Sequence, residues 1–272
     1  MVKKTGKKKS GMSMAVKEEK LDYNEPIEIS EGIYWLGFYD KNAAFHSNPY
    51  IIKDGDEVVI IDPAGITEYP QVASKIFSMV NPSQITHIVL HHQDPDLCAA
   101  VPMLENAIEN KSLKLVTHSR ASVLIHYYGV KSDFYLVDKN NYTLTLKSGR
   151  RLKFMTTPFM HFPAAIVTYD ETSKILFSSD IFGGLSKDWK LYATEGYQEQ
   201  MAAFHRGYMP SNKFLRSFIE KIKPLNIEMI LPQHGSIIKG DMVSKCMNFL
   251  KSLKCGIDLA SSDKELYGWI PK

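Results

Sequence analysis

Cysteine is scarce in this chain of 272 residues: Cys98, Cys246 and Cys255 are the only three. The number is odd and the spacing fits no zinc–thiolate pattern, so a disulfide framework and a thiolate metal site are not expected. No four-cysteine iron site, haem attachment signature or flavin-binding motif is present either. No apolar run approaches the length of a membrane span, and the N-terminus lacks the apolar core of a signal peptide. Cytoplasm is therefore the expected compartment, with no membrane partner. Charge of one sign is also in short supply. The net value of +3 comes from Lys3, Lys4, Lys7, Lys8 and Lys9, and the rest sets 28 basic against 30 acidic residues, a formal −2. A lysine run of this kind is ordinarily a solvated end, and no nucleic-acid partner is expected.

What is present is an ordinary globular composition, 44% hydrophobic and 23% charged, enough for one large domain. Residues 1–24 read as a disordered basic tail and residues 25–272 as a single domain. There is no repeat period and no Gly/Pro-rich linker in the middle. Ile33–Phe38 predicts a strand. Tyr50–Ile52 and Val58–Ile61 flank Lys53-Asp54-Gly55-Asp56, a hairpin signal. Helical spacing covers Tyr69–Val80, Leu97–Ile108 and Arg120–Tyr128, with short strands at Ile85–Leu90 and Leu113–Val116. A second strand-rich half follows, with Tyr142–Leu146, Arg151–Met155, Ala165–Tyr169 and Ile175–Ser178. Then come a helix-rich stretch from Gln198 to Lys223, a strand at Met229–Leu231 and a helix from Asp241 to Leu253. Strands and then mixed helices and strands, in both halves, predict an α/β (α+β) sandwich of two sheets with helices outside.

Chemistry concentrates at predicted strand ends. His91-His92-Gln93-Asp94-Pro95-Asp96 follows the strand Ile85–Leu90. Two imidazoles and two carboxylates in six residues are costly to bury without a strong partner, and a metal ion is the natural one. Pro95 stiffens the turn and restricts Asp94. His161, Asp180 and His234 each follow a further strand pattern. A lone histidine after a strand is more often structural than a ligand, and an aspartate there is often a turn residue. The order carries the information: His-x-Asp-x-Asp, then His, then Asp-x-x-Gly, then His-Gly.

With those motifs the chain resembles the metallo-β-lactamase superfamily, and within it the flavodiiron branch. The pieces that carry the resemblance are Asp94-Pro95-Asp96, Phe159-Met160-His161-Phe162-Pro163, Leu176–Gly183 and Pro232-Gln233-His234-Gly235, and the resemblance covers about residues 27 to 250. The superfamily's hydrolases carry His-x-His-x-Asp-His as the first motif, and the flavodiiron branch His-x-Glu-x-Asp-His. Here Asp94 stands at the acidic position and Leu97 at the last histidine. The resemblance implies a four-layer αβ/βα sandwich and two iron ions with a bridging oxo, hydroxo or peroxo group. His92, Asp94 and His161 would hold one iron, Asp96 and His234 the other, and Asp180 would bridge both. His91, Leu97, His205 and Tyr208 are expected to flank the metals without binding them. His91 would donate to a bound oxygen species or orient a ligand. The flavodoxin domain of flavodiiron proteins is not expected in this chain, and so neither is flavin.

The resemblance implies an oxygen-binding diiron sensor, with O2 as ligand and NO as a second candidate. A chemotaxis-type signalling protein or an electron donor would be its partner, and the chain would form a homodimer. An O2 or NO reductase fed by a separate donor is the alternative. A metallo-β-lactamase-type hydrolase with a metal-bound hydroxide is a third class, which Asp94 and Leu97 in place of two histidines argue against.

Overall fold

The computed structural model describes residues 21–259; the tail expected at the N-terminus lies outside them except for its last four residues. Two mixed sheets lie in the chain. The first runs β1 (Ile27–Ser30), β2 (Ile33–Trp35), β3 (Tyr50–Asp54), β4 (Glu57–Ile61), β5 (Ile85–Val89), β6 (Lys114–Thr117), β7 (Asp133–Leu136) in space as in sequence. Its first four strands are antiparallel and its last four parallel. The second sheet is built from β8 (Thr143–Thr145), β9 (Arg151–Thr156), β10 (Ile166–Asp170), β11 (Ile175–Ser179), β12 (Met229–Pro232) and β13 (Ile238–Lys239), again in chain order across the sheet.

Alternation within the strands sorts the side chains into three layers of core. Tyr50, Ile52, Val59 and Ile61 meet Phe154, Ile166, Phe177 and Leu231 between the sheets. Ile51, Val58 and Ile60 face the other way, onto α1 (Tyr69–Met79), α3 (Val101–Ile108) and α4 (Ser119–Ile125). On the far side Val167, Tyr169 and Leu176 pack on α5 (Tyr197–Tyr208), α6 (Asn212–Ile222) and α7 (Asp241–Ser252). A sheet buried on both faces explains why strands such as Val58–Ile61 are apolar at every position rather than at alternate ones.

Two sequence expectations change. The helix expected over Leu97–Ile108 is two: α2 (Pro95–Cys98) and α3, separated at Ala99–Ala100. Pro102 in the first turn of α3 has no N–H to give, and its ring crowds the preceding turn, so the helix restarts. The strand expected over Ile33–Phe38 ends at Trp35. Gly37 lies so close to Trp35 that a Cβ there would fall 2.6 Å from the indole ring, which marks a tight turn.

The two sheets are stitched at one edge. The Ile166 N–H donates to His91 O (3.0 Å) and the Asn48 N–H to Gln233 O (2.7 Å), while within the second sheet the Gln233 N–H donates to Ser179 O (2.8 Å). The C-terminal ends of β5, β11 and β12 therefore open onto the same place.

Candidate metal centre

The apolar strand β5 ends where Leu90 gives way to His91 and His92. Pro95 opens α2 at its first position and holds Asp94 extended, at φ −67° and ψ 152°. Asp94 thus projects from the turn and Asp96 from the first helical turn, while Leu97 is buried in the outer core beside α1 and α3. The β11 strand ends on Ser179 at φ +53°, a left-handed conformation uncommon for serine, which turns Asp180 toward the same edge. Four other non-glycine residues with positive φ, at Asp62, Ala64, Phe159 and Phe182, also lie in the loops of this edge.

These turns bring together all six residues expected to bind metal. His161 Nε2 lies 3.1 Å from Asp94 Oδ2 and 2.9 Å from Asp180 Oδ2. His92 Nε2 is 3.5 Å and 3.4 Å from the same two oxygens. His234 Nε2 is 3.1 Å from Asp96 Oδ2 and 3.5 Å from Asp180 Oδ1. Asp180 therefore turns one oxygen to His92 and His161 and the other to His234. Donor atoms of His92, Asp94 and His161 all fall within 4.8 Å of one another.

Each buried imidazole is fixed from behind. His234 Nδ1 donates to His46 O (3.1 Å), which points its Nε2 at the carboxylates. His92 Nδ1 meets Ser179 Oγ at 3.1 Å. Behind Asp180, His205 accepts from the Phe182 N–H (3.1 Å) through Nε2 and donates from Nδ1 to Met201 O (2.8 Å). Burial pushes the His205 imidazole down to about 4, so it stays neutral in that pair of bonds. Tyr208 stacks on Phe204 at 4.7 Å, with its ring 5.9 Å from that of His161.

His91 is placed differently from its neighbour. Its ring is fully buried, with Nδ1 2.5 Å from Asp62 Oδ2 and Nε2 2.8 Å from Thr168 Oγ1. Both nitrogens are committed to partners within the sandwich, so the ring clamps one sheet to the other and is not aimed at the six-residue cluster. Sequence reasoning missed Asp62 and Ser179. The signal for Asp62 was there: it is a polar residue directly after the apolar run Val58–Ile61, as Asp180 is directly after β11.

Charge in the cluster is balanced by proximity. Burial works most strongly against the charged form of His161, yet hydrogen bonds and attraction from Asp180 and Asp94 outweigh it and raise its pKa to about 10. The His92 and His234 pKa values are raised in the same way against burial. Burial would raise Asp94 and Asp180, and the neighbouring imidazoles hold both well below the usual carboxylate range. These histidines and carboxylates carry protons and charge that a divalent ion would displace and neutralise. Buried Asp180 Oδ1 has no hydrogen-bond partner among the described residues. A buried carboxylate with an orphaned oxygen, set between imidazoles on both sides, is what a bridging metal ligand requires, so the residues fit a two-metal site. Three imidazoles and three carboxylates without thiolate suit iron or manganese and also accommodate zinc. Cys98 does not join them; its Sγ donates to His92 O and burial raises its thiol pKa well above the usual range.

Two face-to-face sheets with helices outside and a His/Asp cluster at one edge define a metallo-β-lactamase-type fold. The chain belongs to the ODP family: the family profile described as "ODP family beta lactamase" matches residues 45–235. A structure described as the peroxy diiron species of the chemotaxis sensor ODP is similar, with 30% identity, a TM-score of 0.73 and coverage of 86% of this chain and 97% of that one. An uncharacterized protein of Methanocaldococcus jannaschii is 31% identical over 78% of this chain and 57% of its own length. An anaerobic nitric oxide reductase flavorubredoxin of Pectobacterium atrosepticum is 24% identical over 83% of this chain and 48% of its own. The chain thus spans about half the length of the curated relatives it matches. Among the described residues no helix is long and apolar enough to cross a membrane.

Proposed function

We propose that this chain is a non-haem diiron protein that binds O2 and serves as an oxygen sensor. The observation that carries this is the two-sided placement of Asp180, one oxygen toward His92 and His161 and the other toward His234. In this reading His92, Asp94 and His161 hold one iron, Asp96 and His234 hold the second, and Asp180 bridges them. Two ferrous ions would supply the reducing equivalents that O2 binding draws on. The chain's own part is to leave room. Leu97, buried where the flavodiiron pattern has a histidine, offers no donor, so the Asp96–His234 side has one imidazole where the other side has two. An unfilled coordination position is where a diatomic ligand enters. Similarity to the chemotaxis sensor ODP supports the sensor role and iron as the metal. We extend the reading to a chemotaxis-type signalling partner, a homodimer, a cytoplasmic location and a single domain over residues 25–272.

Similarity to nitric oxide reductases favours a second reading, turnover of O2 or NO with a separate electron donor. Steady-state consumption of O2 and of NO, measured with iron-loaded protein, a reductant and a mediator, separates the two. A sensor consumes about one equivalent per centre and stops, whereas sustained turnover at many equivalents would establish the reductase.

A further inference from the structure

Asp94 turns one of its two oxygens to the histidines of the cluster. Oδ2 lies 3.1 Å from His161 Nε2 and 3.5 Å from His92 Nε2. Oδ1 is held by Gln93, whose Nε2 donates to it at 2.6 Å. A hydrogen bond from an amide N–H to a carboxylate is charge-assisted and among the stronger kinds. It also does what the backbone cannot. Pro95 holds the Asp94 backbone extended, but the rotation of a carboxylate about its Cβ–Cγ bond is broad and loosely restrained. Gln93 on one oxygen and two imidazoles on the other fix that rotation. His92 and His234 follow the same pattern, each with its Nδ1 engaged behind and its Nε2 toward the carboxylates.

Gln93 is itself set in place. Its backbone O accepts from the Tyr128 hydroxyl (2.9 Å), which stands in the short helical turn His126–Tyr128 after α4. A carboxylate oxygen only accepts, so the Gln93 amide turns its N–H to Asp94 and its Oε1 away. That Oε1 is buried and has no hydrogen-bond partner among the described residues. An unmet buried acceptor costs stability. The bond to Asp94 offsets little of that cost, because the Asp94 side chain is 28% exposed and water can serve it. Stability of the fold does not explain this placement, whereas orientation of Asp94 does.

We propose that Gln93 is a positioning residue that holds Asp94 to a single oxygen, Oδ2, toward a metal in the His92, Asp94 and His161 half of the cluster. The inference rests on the reading of the cluster as a two-metal site and not on what the metals do with O2. Removing the hydrogen-bond partner of a metal ligand typically costs about 10–100-fold in metal affinity. Released from Gln93, the carboxylate can also turn both oxygens inward, which raises the number of donors around the metal.

The test is an anaerobic titration of the full-length metal-free protein with Co2+ against a competing chelator, followed by visible absorption. Gln93→Met keeps the length and unbranched shape of the side chain and removes the donor. Of the two Co2+ equivalents, one should weaken about 10–100-fold and the other should change little. The visible band of the weakened equivalent should lose intensity, since Co2+ absorbs less strongly as its coordination number rises. Chemical denaturation without metal should give the wild-type midpoint. A metal-free midpoint that falls sharply would show a structural role and overturn the proposal. Equal affinities and identical bands in wild type and Gln93→Met would overturn the proposal alone. Wild type that takes up no Co2+ would remove the metal-centre reading and the proposal with it.

Discussion

Asp62 and His91 form a buried pair in which the carboxylate takes both the backbone N–H of His91 (3.0 Å) and its ring Nδ1 (2.5 Å), while the far ring nitrogen meets Thr168 of the opposite sheet at 2.8 Å. One side chain thus ties β4, β5 and β10 together directly before His92. Removing the imidazole leaves a buried carboxylate without its partner, which costs about 3–5 kcal/mol. Chemical denaturation of His91→Ala should show a loss of that size. Asp62→Ala with His91→Ala should cost clearly less than the two single losses combined. The folded fraction should still take up iron, since the His91 ring faces none of the six clustered residues. An additive double variant would remove the pair from the account.

Asp180 faces both halves of the cluster, so it should matter to both metals. Asp180→Ala is expected to bring iron content from about two per chain to well below one, whereas Asp96→Ala should leave about one in the His92, Asp94 and His161 half. Metal analysis after anaerobic loading and desalting checks this. Equal losses for the two variants would contradict the division of the ligands.

Lys75 offers a test of folding free of the metal. Its ammonium is buried, donates to Tyr23 O (2.8 Å) and Gly37 O, and lies 4.8 Å from the Trp35 ring. Burial lowers its pKa to about 8. Below that value folded and unfolded states both hold the proton and no pH dependence arises. Between about 8 and the ordinary lysine value the unfolded chain binds more protons, so stability rises with pH across that window. Relative to Lys75→Met, the wild type should gain about 2 kcal/mol between pH 7 and pH 9.5. Ionising tyrosines and cysteines are shared by both proteins and cancel in the difference. A flat difference would show that Lys75 keeps its proton when folded.

The six-residue cluster was legible in the sequence because its members fall at or shortly after strand ends in the order His-x-Asp-x-Asp, His, Asp-x-x-Gly and His-Gly, and polar residues there have few places to go. Strands such as Val58–Ile61 were equally legible from unbroken apolar runs. The clamp of His91 was not, because side-chain direction at the end of β5 depends on how Asp62, 29 residues earlier, turns at φ +48°. The edge strand β7 (Asp133–Leu136) has no apolar alternation of its own; register against β6 and the Lys114–Asp133 pair (2.7 Å) make it a strand. The break between α2 and α3 was concealed by helical spacing that continues through Pro102.

The central claim is that the Asp180-bridged cluster holds two irons with a position open to O2. The most direct measurement is the absorption spectrum of anaerobically iron-loaded protein on addition of O2, alongside its metal content. The account predicts two irons per chain and a charge-transfer band that forms with about one O2 per centre and is lost in Asp180→Ala. Two tightly held zinc ions, no band on O2 addition and ready ester cleavage would contradict it.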